Sequence, residues 1–327
     1  MNKYNSVLFF LLCSLFGVGV FAQDKTCNPA PSEVAALREL PSKIMTVVGP
    51  LAEFDPCHRS VDLRTPFFSN RPPLMIVVHG GGGLDGGTRN TVEAFRSKGF
   101  ATLVFDAFEM NGFYQGSDFW ASAATNESRQ RMIYKVTLGA YEWAIKSSRV
   151  DTENIFFHGL SNGAAVVANL AAVVDPKHVR ALFAEGIPGN GIGLPDKLNA
   201  PLKVVFGKLD NYGGRTANEW IWIRQELCIG NRGNFIQPPG NSANCNPVIN
   251  AEGLTQKPID WYESQKAKGA DIELWWLEET AHGTFIGALQ KNMRTYGSGT
   301  TRYAWVGGSP AARESFLKDI SSLVLRH

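Results

Sequence analysis

Residues 155–163 read Ile-Phe-Phe-His-Gly-Leu-Ser-Asn-Gly, and Ala-Ala-Val-Val-Ala-Asn-Leu comes directly after. The first four residues form a strand. Gly159 and Gly163 flank Ser161 at a spacing that lets the chain turn sharply from strand into helix, holding the Ser161 hydroxyl out at the tip. The small residues from Ala164 to Val174 predict the helix, whose N-terminus aims its dipole at any negative charge developing beside Ser161. An idle Ser in a Gly-rich turn would look the same in isolation, so the decision rests on later segments of the chain.

Two further segments complete a pattern. Gly207-Lys208-Leu209-Asp210 closes the apolar run Leu202–Phe206, and Ala281-His282-Gly283-Thr284-Phe285 comes after the run Ile272–Leu277. A Ser, an acid and a His thus arise in that order, each just past a strand, at the edge where ligand chemistry collects in open α/β sheets. The residue types set the roles: Ser161 as nucleophile, His282 as general base, Asp210 to orient the imidazole and stabilise its cation. Glu185, just past Leu182–Ala184, is the second candidate for the acid. Of six histidines, His327 is terminal, His58 lies in the N-terminal segment and His178 beside Lys177. His79 and His158 sit at glycine-rich strand ends and are expected to be structural.

His79-Gly80-Gly81-Gly82-Gly83 succeeds the apolar run Leu74–Val78. Without Cβ atoms, backbone N–H groups in such a loop can approach a substrate oxygen. Gly81 and Asn162, the residue after the nucleophile, are the expected oxyanion donors, with Gly82 as alternate. No Gly-Lys-Ser/Thr comes after it, so a phosphate cradle is excluded. There is neither a Cys-x-x-Cys nor a His-x-x-x-His, so no metal is expected, and no organic cofactor.

The remaining pattern alternates apolar strands with helices. Ala101–Phe105 is a strand, Thr91–Lys98 a helix ended by Gly99, and Arg129–Ser147 a helix with a stripe at Met132, Ile133, Val136, Ala140, Trp143 and Ala144. A short helix from Ser32 to Leu40, a β-branched run Ile44–Val48 and a last helix from Ala311 to Leu325 complete it. This alternation implies a mostly parallel sheet with helices on both faces. The one break is the Gly-, Asn- and Pro-rich stretch from Asn211 to about Asn250, which reads as an insertion over the site. Trp120, Tyr212, Trp220 and Trp222 are candidates for an aromatic pocket or for core.

At 327 residues with 44% hydrophobic residues, the chain can bury a full core, and a net charge of +2 gives no electrostatic case for nucleic acid. Lys3 followed by the apolar run Val7–Phe21, with Val20 and Ala22 as the small residues at the −3 and −1 positions, reads as a signal peptide over residues 1–22 cut after Ala22, with a membrane anchor as the rival; it leaves a domain over 23–327 that is secreted or periplasmic and not held in the membrane. In that compartment Cys27, Cys57, Cys228 and Cys245 are expected to pair, and closeness in sequence favours Cys27–Cys57 and Cys228–Cys245. The second pair would staple the insertion.

These segments together resemble the α/β-hydrolase superfamily. Within it, Val77–Gly83, Asp106-Ala107-Phe108, Gly159–Gly163, Gly207–Asp210 and His282-Gly283 are most similar to dienelactone-hydrolase-like proteins. The resemblance spans about Leu74 to Phe285 and implies the α/β-hydrolase fold with an acyl-enzyme mechanism. Two departures matter. The related enzymes use Cys where this chain has Ser161, and the stretch Phe108–Gly112 lacks the Arg they tend to carry. The expectation is therefore a serine esterase acting on a small-molecule ester. A compact peptidase or amidase and an inactive hydrolase-fold binding protein are its rivals.

Overall fold

The computed structural model describes residues 21–23, 51–67, 69–113, 126–188, 191–210, 248–249, 255–256, 258–296 and 300–324. The strands in chain order are β1 (Phe21–Gln23), β2 (Asp62–Pro66), β3 (Pro73–Val78), β4 (Ala101–Val104), β5 (Asp151–Leu160), β6 (Val179–Glu185), β7 (Leu202–Gly207), β8 (Val248–Ile249), β9 (Thr255–Gln256), β10 (Ile272–Leu277), β11 (Gln290–Tyr296) and β12 (Thr300–Val306). The helices are α1 (Gly86–Arg96), α2 (Ala107–Met110), α3 (Asn126–Ala144), α4 (Asn162–Leu170), α5 (Pro258–Ala267) and α6 (Pro310–Val324).

Eight strands form one sheet in the order β1-β2-β4-β3-β5-β6-β7-β10. β2 runs antiparallel to both β1 and β4, and every other neighbouring pair is parallel. The inner parallel strands β3, β4 and β7 are buried along nearly their whole length because both their faces are covered, while β10 at the end of the sheet is mostly half-exposed. On one face α3 and α4 bury Met132, Ile133, Val136 and Ala164–Ala168 against Leu74, Ile76 and Phe157, with Trp261 of α5 in the same core. On the other face α1 and α6 bury Val92, Phe95, Phe316 and Ile320 against Met75, Val77, Phe156 and Phe183. The expected mostly parallel, doubly covered sheet is what forms.

β3 is the point where the strand order turns. Its next strand, β4, lies on one side, and β5 lies on the other. The carboxyl ends of β3 and β5, with the loop and the turn that follow them, therefore lie at the position where such sheets bind ligands.

Some elements differ from the sequence expectation. α1 starts at Gly86, five residues earlier than the apolar pattern predicts, because the Asp85 side chain accepts from Thr88 N at 2.8 Å and caps it. β2 is half covered, with Leu63 alone buried, so it carries no apolar run. α2, α5 and the two-stranded ribbon β11–β12 are also additions. Strand β1 straddles Ala22, the expected end of the signal segment. The predicted helix Ser32–Leu40, the run Ile44–Val48, the four candidate pocket aromatics and nearly all of the insertion lie outside the described residues. Of the insertion only β8 is described, paired antiparallel with β9. Cys57 is disulfide-bonded, while Cys27, Cys228 and Cys245 lie outside the described residues, so neither expected pairing is placed. Among the described residues no helix is long and apolar enough to cross a membrane.

Candidate active site

Ser161 adopts φ 56° and ψ −119°, a conformation that costs a non-glycine residue on the order of 1–3 kcal/mol. Packing enforces it. A Cβ on Gly163 would fall 2.5 Å from the backbone oxygens of both Val78 and His79, so α4 can start this close to β3 only with glycine there. Ser161 N donates to Glu185 O at 2.9 Å, pinning the turn to the end of β6. The Ser161 side chain does not cap α4. It is half-buried at the mouth of the turn, while Asn162 to Val167 behind it are buried.

Asp210 and His282 meet. His282 Nδ1 lies 3.0 Å from Asp210 Oδ2, with both residues buried. Their loops are laced together: Lys208 N donates to Leu277 O at 3.0 Å and Leu209 N to Thr280 O at 2.8 Å. Ala281 N donates to Gly307 O and Gly307 N to His282 O, so the chain after β12 braces the histidine from the far side. With Nδ1 turned to the Asp210 carboxylate, Nε2 is the ring nitrogen on the opposite side of the imidazole.

The nucleophile turn and this pair converge on Glu185-Gly186. Gly186 has φ +63°, and a Cβ there would sit 2.9 Å from His282 Cε1 and Nδ1 and 3.4 Å from Asp210 Oδ2. The same dipeptide accepts the Ser161 N–H through the Glu185 carbonyl. A Cβ on Gly283 would lie 2.9 Å from Leu160 Cδ2, which brings the histidine loop against the residue before Ser161.

Glu185, the second candidate acid, has a different task. Its Oε2 lies 2.9 Å from His158 Nε2, and its Oε1 accepts from Thr284 N and Thr284 Oγ1, both at 2.6 Å. It turns to the α1/α6 side of the sheet, away from the His282 ring. Burial pushes its carboxyl up, but the hydrogen bond and charge of His158 and the two donors of Thr284 outweigh this and hold it below the usual carboxylate value.

The glycine loop after β3 lies beside the start of α4. A Cβ on Gly81 would come within 3.0 Å of Asn162 Nδ2, so the two expected oxyanion donors are neighbours. Asn162 Oδ1 accepts from Gln130 Nε2 at 3.0 Å, and Gln130 Oε1 accepts from Ile192 N at 2.9 Å. His79 shapes the loop. Its Nδ1 lies 2.8 Å from Gly80 O and its Nε2 accepts from Ala107 N at 2.9 Å, which selects the Nδ1–H tautomer. Asp106 Oδ2 accepts from Leu84 N at 3.1 Å and closes the loop's other end. Gly82, the alternate donor, faces Asp85: a Cβ there would fall 2.5 Å from Asp85 Oδ2.

Two groups escaped the sequence reading. Gln130 interrupts the apolar stripe of α3 at a fully buried position, and a polar residue on a core-facing stripe was its signal. The Thr284–Glu185–His158 chain had none, since the direction of a side chain at a strand end is not written locally. Among the described residues no group of three or more His, Cys, Asp or Glu could hold a metal ion.

No protein-family model matches the sequence, and no curated protein matches it. Among solved structures the chain is similar to Est1E from Butyrivibrio proteoclasticus with ferulic acid bound (14% identity, 81% of this chain and 93% of that one, TM-score 0.45). It is also similar to a dienelactone hydrolase from Anabaena variabilis (13% identity, 82% and 91%, TM-score 0.44). A third is the Pyrococcus furiosus esterase Pf2001 (14% identity, 91% and 96%, TM-score 0.43). In fold the chain is an α/β hydrolase. Its own sheet order and the strand–turn–helix about Ser161 carry that statement.

Proposed function

We propose that this chain is an exported serine hydrolase that cleaves carboxylic esters, with Ser161 as nucleophile, His282 as base and then acid, and Asp210 as the orienting carboxylate. One observation carries the reading. Ser161 is held at φ 56° on the turn between β5 and α4, hydrogen-bonded to the dipeptide that packs against the buried His282–Asp210 pair. Strain of this kind persists where function needs the side chain presented.

In the proposed reaction Ser161 Oγ attacks the acyl carbon while its proton passes to His282 Nε2. Asp210 stabilises the imidazolium. The oxyanion is received by the backbone N–H groups of Gly81 and Asn162, each donor lowering the barrier by about 3 kcal/mol. Collapse returns the proton from His282 to the leaving alcohol. Water then repeats the sequence on the acyl-enzyme and releases the acid. Export belongs to the same reading, and the disulfide-bonded Cys57 supports it, because such bonds persist in oxidising compartments.

The test is covalent and kinetic. A fluorophosphonate probe should label Ser161 of the wild type and leave Ser161→Ala unlabelled. A series of p-nitrophenyl esters with matched anilides should show turnover of the esters. Turnover of anilides alone would move the chain to the amidases. A folded wild type that is neither labelled nor active would make it a binding protein.

A further inference from the structure

Glu185 touches both halves of the proposed machinery. Its backbone oxygen holds Ser161 N at 2.9 Å, and its carboxylate holds Thr284, two residues past His282, through both the amide and the hydroxyl at 2.6 Å. The other carboxylate oxygen takes His158 Nε2 at 2.9 Å. His158 is fixed in turn by an aromatic box, with ring centroids 5.4 Å from Phe95, 6.1 Å from Phe285 and 6.2 Å from Phe316. Phe285, next to Thr284, stacks on Phe316 at 5.5 Å.

We propose that Glu185 is a positioning residue: held by His158, it grips Thr284 and thereby sets where His282 stands relative to Ser161. This deepens the proposed function and rests on that reading.

The chemistry argues for a purpose beyond filling space. A carboxylate buried beneath the sheet edge is expensive, and an apolar residue of similar volume commonly serves stability as well or better. The box also leaves His158 Nδ1 without a hydrogen-bond partner among the described residues, a second cost. What the arrangement does provide is direction. Three donors converge on one rigid carboxylate at the end of a central strand, and the loop carrying His282 cannot slide without breaking two of them. Phe285 also anchors that loop on this side, but its stacking tolerates sliding within the ring plane.

The experiment uses the full-length protein with Thr284→Val, Thr284→Ser and Glu185→Gln. Thr284→Val keeps the amide bond and loses the hydroxyl bond to a charged acceptor. It should lower kcat for a p-nitrophenyl ester by about tenfold with KM unchanged. Thr284→Ser restores the hydroxyl and should rescue kcat. The low-field proton resonance of the His282–Asp210 hydrogen bond should broaden or move in Thr284→Val and return in Thr284→Ser. Glu185→Gln should lower kcat further, and Thr284→Val answers the question if Glu185→Gln does not fold. A folded Thr284→Val with wild-type kcat and an unmoved resonance would overturn the proposal. If the wild type is not labelled by fluorophosphonate, the esterase reading fails instead. The resonance, which needs no turnover, still decides whether Glu185 positions His282.

Discussion

At the scale of single residues, Ser161, Asp210 and His282 were nominated because each is a reactive side chain placed just past an apolar run. Composition and order alone could nominate them. Which acid serves His282 was open in the sequence, because Asp210 and Glu185 both end strands. The geometry separates them: Asp210 faces the imidazole and Glu185 faces His158 and Thr284. Acting as a unit, Ser161 and His282 should be non-additive. Ser161→Ala and His282→Ala should each lower kcat by several orders of magnitude, and the double variant should be barely slower than either. A double variant slower by the product of the two effects would show that they act separately. Gly163 makes a structural prediction at the same scale. Gly163→Ala puts a methyl 2.5 Å from two backbone oxygens that belong to β3 and its loop. Backbone cannot rotate away as a side chain can. The urea midpoint should fall by the equivalent of about 2 kcal/mol or more, and fluorophosphonate labelling should be lost with it.

At the scale of elements, the central parallel strands were legible because burial on both faces leaves an apolar run, as in β3 and the Ile155–Phe157 part of β5. The antiparallel β2 was not, since one covered face and four polar or half-exposed positions leave no run to see. The pattern starts α1 late because Gly86 and Gly87 look like a breaker, while the Asp85 cap makes them a first turn. Elements also set the acid limit of stability. Two groups contribute with the same sign. Burial pushes His58 down, against the pull of Glu109, Asp55 and Asp106. As pH falls through the ordinary histidine range near ~6.5, the unfolded chain takes up a proton that the folded one refuses. Glu185 is held below its ordinary value, so its contribution is present above about pH 4.3 and is lost as pH falls through the folded value. The urea midpoint should therefore decline in two limbs on acidification. His58→Gln should remove the upper limb and Glu185→Gln the lower. A midpoint constant from pH 7 to 5 would contradict the His58 assignment, and one constant as pH falls below about 4.3 would contradict the Glu185 assignment.

At the scale of the whole molecule, the sheet order brings the glycine loop and the Ser161 turn together at the carboxyl ends of β3 and β5. The acid and histidine loops, after β7 and β10, meet them through Glu185-Gly186. None of this depends on the N-terminal edge. β1 contributes three residues beside β2, and cleavage after Ala22 would leave only the Gln23–Arg64 pairing, with the other seven strands intact. Cys57 lies in the segment leading into β2, where the next residues tie into the domain. Ser60 Oγ accepts from Asp106 N at 3.2 Å and also meets His58 Nδ1 at 2.8 Å. A disulfide from Cys57 back to Cys27 would lash the N-terminal segment to this edge. It would close a loop whose removal from the unfolded ensemble is worth roughly 3–4 kcal/mol. The carboxyl ends of β5, β6 and β7 lie across the sheet from it. On the export proposal, the intact mass should begin at Gln23, and non-reduced peptides should join Cys57 to Cys27 and Cys228 to Cys245. Cys27→Ser/Cys57→Ser should lower the melting temperature by several degrees and leave ester turnover at 25 °C near the wild-type value. The edge disulfide restrains the unfolded chain, whereas the reacting groups are held by the central strands. A crosslink from Cys57 to Cys228 or Cys245 would overturn this arrangement. It would tie the insertion to the sheet's far edge and make turnover as sensitive to reduction as stability is.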